Sequence, residues 1–157
     1  MKKSILMIFS GLMMFAMVGC GVSATQYNDK VVGIHTQASN YLTKISDKLG
    51  DESLTAAEKQ SLADSLKIKV DAWTQQIKDL KYPKSAEELQ GSMVTYFEFL
   101  QSDIVPVMQN LFLSADDTEF NTHVQTLNSV LNKGIQMENK IEAQQVAFAQ
   151  KENMELR

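Results

Sequence analysis

Apolar side chains recur along most of this 157-residue chain in alternating steps of three and four, with only seven glycines and two prolines to interrupt them. That spacing gathers the apolar residues of a segment onto one stripe of a helix, whereas a strand alternates its faces every second residue. Four such segments follow one another. The first, residues 26–49, carries Tyr27, Val31, Ile34, Ala38, Tyr41/Leu42, Ile45 and Leu49, and Gly50 is placed to stop it in the left-handed conformation. The second opens at Thr55-Ala56-Ala57-Glu58, a capping box, and carries Leu62, Leu66, Val70, Trp73, Ile77 and Leu80 up to Tyr82-Pro83.

The third segment opens at Ser85-Ala86-Glu87-Glu88, which also fits a capping box, and its buried side is expected to be Leu89, Met93, Tyr96/Phe97, Leu100, Ile104, Val107/Met108 and Leu111. Pro106 lies inside that stripe. It removes one backbone donor and crowds the carbonyl of Ser102, so a kink is expected rather than two helices, because the stripe continues through it. After Ser114-Ala115-Asp116-Asp117 the fourth segment runs from residue 118 to at least 148, with Phe120, Val124, Leu127, Val130/Leu131, Ile141 and Phe148 on its apolar side. Four amphipathic helices joined by connections of a few residues favour antiparallel neighbours. The expected fold is therefore all-α, an antiparallel up-down four-helix bundle over residues 26–150 with its third helix kinked at Pro106. Residues 151–157 are polar apart from Met154 and Leu156 and are expected to fray.

The start of the chain reads differently. Lys2 and Lys3 precede an apolar run of about 14 residues, 5–18, which is short of the roughly 20 that a spanning helix needs. A positive start, a short apolar stretch and small residues before a cleavage point form a secretory signal. Met17-Val18-Gly19-Cys20 resembles the lipobox of bacterial lipoproteins, with Met where Leu is commonest, and Cys20 is the only cysteine in the chain. The resemblance implies cleavage after residue 19 and acylation of the Cys20 thiol and its new amino group. Residues 1–19 would then be the signal peptide, and residues 20–25 the acylated cysteine with a short tether. It also implies a location in the cell envelope, lipid-anchored. Gly21 after the cysteine resembles the sorting pattern for the outer membrane in a cell that has two. Tyr27-Asn28-Asp29-Lys30-Val31-Val32 followed by Gln37 resembles the first helix of small, uncharacterised helical surface lipoproteins, which have no activity to carry over.

Composition narrows the partners. The signal holds two lysines and no acids, so the remaining 138 residues keep 13 of 15 basic side chains against 19 acidic ones, a net charge of −6. Acids spread along the length argue against a nucleic-acid partner, which needs clustered Lys and Arg. They argue equally against a polybasic lipid contact, leaving covalent lipid on Cys20 as the link to the membrane. One cysteine permits no intrachain disulfide, so packing alone must stabilise the fold.

Few residues offer chemistry. His35 and His123, the only histidines, lie on the flanks of apolar stripes and would be the candidate ligand-binding pair if they met between helices. No Glu-x-x-His spacing accompanies them, so boundary histidines with ordinary hydrogen bonds are the plainer reading. Helical spacing makes most of the aromatic group Tyr96, Phe97, Phe99, Phe112 and Phe120 core, while Phe99 and Phe112, which fit the third stripe less well, are the candidates for an exposed partner patch. Gly134 replaces a large side chain on the fourth stripe; close helix approach accounts for it, with room for an apolar ligand near Pro106 as the functional alternative. Asp116, Asp117 and Glu119 lack calcium-loop spacing and suit a helix N-terminus. There is no Gly-x-Ser-x-Gly elbow and no phosphate-cradling glycine loop. The sequence thus reads as a non-enzymatic, membrane-anchored helical module without cofactor or metal, interacting with an envelope protein or serving a structural role. The alternative is a small-ligand or metal carrier using the bundle interior.

Overall fold

The computed structural model describes residues 22–154. The signal segment 1–19, Cys20 and the last three residues of the expected tail lie outside the described residues. Among the described residues every regular element is helical: α1 (Val22–Ser46), α2 (Ala56–Lys78), a 3-10 turn (Lys84–Ala86), α3 (Glu87–Phe99), a π-helical turn (Leu100–Ile104), α4 (Val105–Leu113) and α5 (Asp117–Lys151). Because α3, the π turn and α4 follow one another without a break, four helical segments result, matching the four apolar stripes.

The stripes form the core. Val31 and Leu42 of α1, Leu66 and Ile77 of α2, Met93 and Phe97 of α3 and Ile141 of α5 are all withdrawn from solvent. Helix α2 packs against α1, α3 and α4, and α5 covers α3 and α4. Two sets of ends meet. Tyr27, near the start of α1, packs edge-on against Phe148 near the end of α5 at 5.8 Å and hydrogen-bonds to Gln90 near the start of α3. At the opposite end a side chain at Gly50 would touch Phe120 of α5, and Gln109 of α4 donates to the Ala63 carbonyl of α2.

The connections show which local signals operate. Gly50 adopts φ +75°, as its place after the first stripe predicts, while α1 itself closes three residues before the last expected position. Thr55 and Glu58 form the complete capping box, each side chain accepting the other's backbone N–H. Asp116 caps α5 by accepting from the N–H groups of Thr118 and Glu119, and the Glu119 carboxylate accepts from Ala115 N–H. The acids at this turn therefore satisfy backbone donors.

Several expectations need correction. The second capping box does not form: Lys84–Ala86 winds into a 3-10 turn directly after Pro83, and no side chain caps α3. Ser85 thereby loses the extended backbone that a capping hydroxyl requires. The tether shrinks as well, since residues 22–25 belong to α1, where Ala24 is already buried. Residues 151–154 close α5 with a regular helix end. Met154 N–H donates to the Ala149 carbonyl at 2.8 Å, Asn153 takes φ +53°, and the Met154 side chain is buried, which together make a left-handed helix cap with its hydrophobic contact.

At Pro106 the helix widens into the π turn, and Val105 N–H donates to the Leu100 carbonyl five residues back. The wider turn sits just ahead of the proline, whose missing N–H would interrupt the regular ladder, and the buried side continues through Ile104, Val105 and Met108. Phe99 and Phe112, expected in an exposed patch, are 4% and 3% exposed. Phe99 explains Gly134. A Cβ at that position would stand 3.3 Å from the Phe99 ring, tighter than ordinary contact, so the ring fills the space offered above to an apolar ligand. Lys133 covers the ring at 5.0 Å and also pairs with Asp103 at 3.3 Å.

A leucine at Gly134 should therefore destabilise the fold by about 1–3 kcal/mol through overpacking against Phe99. Gly134→Ala should stay within about 1 kcal/mol of wild type, because better helix propensity offsets the tight contact. Urea unfolding followed by circular dichroism checks both, and Phe99→Ala should recover part of the loss in the leucine variant.

Candidate functional site

Polar residues at apolar-stripe positions mark where α1 faces α3 and α5. On α1 the buried set Ala24, Asn28, Val31, His35, Ala38, Leu42 keeps helical spacing, yet Asn28 and His35 stand where hydrophobes would. Gln90 occupies such a position between Ala86 and Met93, and Gln145 does so between Ile141 and Phe148. The helices bring these side chains together. Tyr27 donates from its hydroxyl to Gln90 Oε1 at 3.0 Å, and Gln90 Nε2 donates to the Ile77 carbonyl at 2.7 Å, close to the end of α2. Gln145 Nε2 donates to Asn28 Oδ1 at 3.2 Å, joining α5 to α1. Further along, Tyr96 donates from its hydroxyl to Glu138 Oε1 at 2.7 Å, joining α3 to α5.

His35 lies in this seam with its ring 5.6 Å from that of Tyr96. It is 5% exposed, and its Nδ1 is buried without a hydrogen-bond partner. Burial disfavours the imidazolium and lowers the pKa from 6.5 to about 4. Burial raises the Glu138 carboxyl, against the Tyr96 hydrogen bond that favours its charged form. Tyr96 is pushed well above the usual phenol range by burial first and then by the neighbouring carboxylate.

His123 has different surroundings. It lies near the start of α5 with Nε2 3.7 Å from Glu119 Oε1, one helical turn away. Glu138, which the seam reaches through Tyr96, is 15 residues further along α5, about 22 Å at 1.5 Å per residue. The structure brings His35 to Tyr96 and His123 to Glu119, and no contact links the two histidines. Among the described residues no three His, Cys, Asp or Glu side chains group as metal ligands.

The surface has one further feature near the chain ends. A cleft of about 460 Å³ opens between the start of α3 and the end of α5, lined by Lys84, Glu87, Glu88, Leu89, Phe148 and Lys151 among others. Gln144 also lines it, and its side-chain oxygen is shielded from solvent without a partner. No described helix is long and apolar enough to cross a membrane.

No family model matches the chain. No curated protein and no solved structure matches it either. The residues themselves must carry the functional reading.

Chemically, the seam is suited to holding helices in register. Its Tyr, Gln and Asn groups pair with one another, and nothing in it combines a nucleophile with an activating base. Sequence reasoning singled out His35 but passed over Asn28, Gln90 and Gln145. Their signal was present as a polar residue at a position where the apolar spacing calls for a hydrophobe.

His35 makes stability fall on acidification. Below pH 6.5 the unfolded chain takes a proton on this histidine that the folded one refuses until about pH 4, so the fold loses up to about 3 kcal/mol across that window. Glu138 acts in the opposite sense, because its raised pKa lets the folded state take a proton first. In His35→Leu the decline between pH 6.5 and 4 should flatten relative to wild type, as measured by urea unfolding at each pH. An unchanged slope would show that the imidazole is not held neutral.

Proposed function

We propose that this chain is a lipid-anchored helical lipoprotein of a bacterial envelope and acts by binding or by structural support rather than by catalysis. The observation that carries the reading is Met17-Val18-Gly19-Cys20 behind a positive start and a short apolar run, with the chain's one cysteine where acylation requires it. The fold supports it from the other side. Helix α1 begins at Val22, so the folded domain starts immediately after the cysteine, with no intervening domain or long linker.

In this reading the four helical segments form an antiparallel up-down bundle, and the axis of the third bends where the π turn meets Pro106. The meeting of Tyr27 with Gln90 and Phe148 at one end, and of Gly50 with Phe120 at the other, supports that arrangement. A binding or structural role agrees with a seam in which Tyr27, Asn28, Gln90 and Gln145 pair across helices. The carrier alternative has less behind it: Phe99 occupies the space beside Gly134, and the two histidines stand in separate surroundings. An envelope protein is the expected partner class, reached by a domain held close to the membrane through lipid on Cys20.

Cells expressing the full chain should incorporate radiolabelled palmitate into it, and Cys20→Ser should abolish the label while leaving a longer, unprocessed N-terminus by mass spectrometry. Equal labelling of both forms would overturn the anchor. Crosslinking of the labelled form in intact cells should then capture a discrete envelope protein.

A further inference from the structure

Charge divides the two ends of this fold unequally. Around the α1–α2 and α4–α5 connections, residues 44–64 and 113–123 hold Asp47, Asp51, Glu52, Glu58, Asp64, Asp116, Asp117 and Glu119 against Lys44, Lys48 and Lys59, eight acids to three bases. At the opposite end, residues 26–34, 77–92 and 140–154 hold six acids and six lysines. The excess negative charge of the domain thus sits at the end away from the start of α1.

The balanced end has a contact surface of its own. Lys81, Tyr82 and Lys84 are exposed in the α2–α3 connection, and Lys151 is exposed at the close of α5. Tyr82 is 46% exposed, yet its ring lies against Tyr27 at 6.3 Å, so the core supports it from behind. A half-exposed tyrosine flanked by lysines is the combination that suits a membrane–water boundary, where the ring sits at headgroup depth and ammonium groups meet phosphates. Reach then decides the occupant. Cys20 precedes the first residue of α1 by two positions, at most about 7 Å of extended chain. A domain held that closely cannot lift this end clear of a bilayer to which Cys20 is attached.

We propose that this end, through Tyr82, Lys81, Lys84 and Lys151, rests on phospholipid headgroups, with the acidic end directed away from the membrane. The proposal builds on the lipid-anchored reading and adds an orientation to it. An anionic bilayer repels the end with five excess acids and leaves the end whose six lysines balance its six acids without net repulsion, so tether and field select the same pose. The cleft between Lys84–Leu89 and Gln144–Lys151 opens at this end too and would lie among the headgroups.

The test couples residues 20–157 chemically, through the Cys20 thiol, to a maleimide lipid in vesicles of phosphatidylethanolamine and phosphatidylglycerol brominated near the headgroup. Coupling in this way makes the result independent of acylation in cells: absent palmitate would sink the anchor, whereas the pose is read from quenching alone. Tryptophan is placed by Tyr82→Trp or, at the far end, by Leu113→Trp, and the signal of the native Trp73 is subtracted. Circular dichroism confirms that each variant is folded. Quenching at position 82 should exceed that at 113 by about twofold or more, because a helix as long as α1 sets the ends about 37 Å apart. Lys81→Glu/Lys84→Glu/Lys151→Glu should bring the ratio towards one, and so should high salt with the wild-type lysines. Equal quenching at both positions, stronger quenching at 113, or a ratio indifferent to charge reversal would overturn the proposal.

Discussion

The structure turns on Tyr27. Its ring is buried against Phe148 and Tyr82, and its hydroxyl reaches Gln90, which in turn holds a carbonyl near the end of α2. One side chain near the start of α1 thus contacts the α2–α3 connection, α3 and α5, and through Gln90 it reaches α2. A chain with a single cysteine has no covalent means of fixing these ends together. Burial and a few internal hydrogen bonds must do it, and a buried hydroxyl or amide deprived of its partner costs about 1–3 kcal/mol. Sliding α1 against its neighbours would strand Tyr27, Asn28, Gln90 and Gln145 at once. The polar seam therefore discriminates among helix registers that an apolar interface would tolerate.

His35 stands apart from that logic. The seam pairs its other members, while this imidazole is held neutral beside Tyr96 with one nitrogen unpartnered. Its burial costs stability, and the cost rises on acidification. The Tyr96–Glu138 bond beside it joins two groups whose pKa values are both raised by burial. This part of the interior is consequently the most sensitive to pH, in contrast to the amide pairs nearer Tyr27.

Much of the fold was legible in the chain. Spacing of three and four located the four helical segments and most of the core, and Thr55–Glu58 and Asp116 behaved as their local chemistry indicates. The misses have physical causes. Ser85 looked like a cap, but Pro83 directs the backbone into a 3-10 turn. Phe99 looked peripheral by wheel counting because it lies beside the stripe, where α5 packs on it at Gly134, while Phe112 follows a π turn whose shift of helical phase no fixed period anticipates. Residues 22–25 looked like linker because the apolar stripe was read from Tyr27 onward, yet Ala24, three residues earlier, is already buried in α1. Tertiary contact made those choices. The candidate site was less legible, since Gln90 and Gln145 become informative only when the stripe is read for polar exceptions, and their partners lie 63 and 117 residues away.

The packing of Tyr27 on Phe148 and the cap at Asn153 have a practical consequence for handling the protein. Both ends of the described chain leave the fold on the same side. A reporter joined to the end of α5 would lie at the pole where α1 begins. One inserted between Gly50 and Leu54 would project from the opposite pole, some 37 Å distant by the length of α1. Loop insertion is thus the geometry for display.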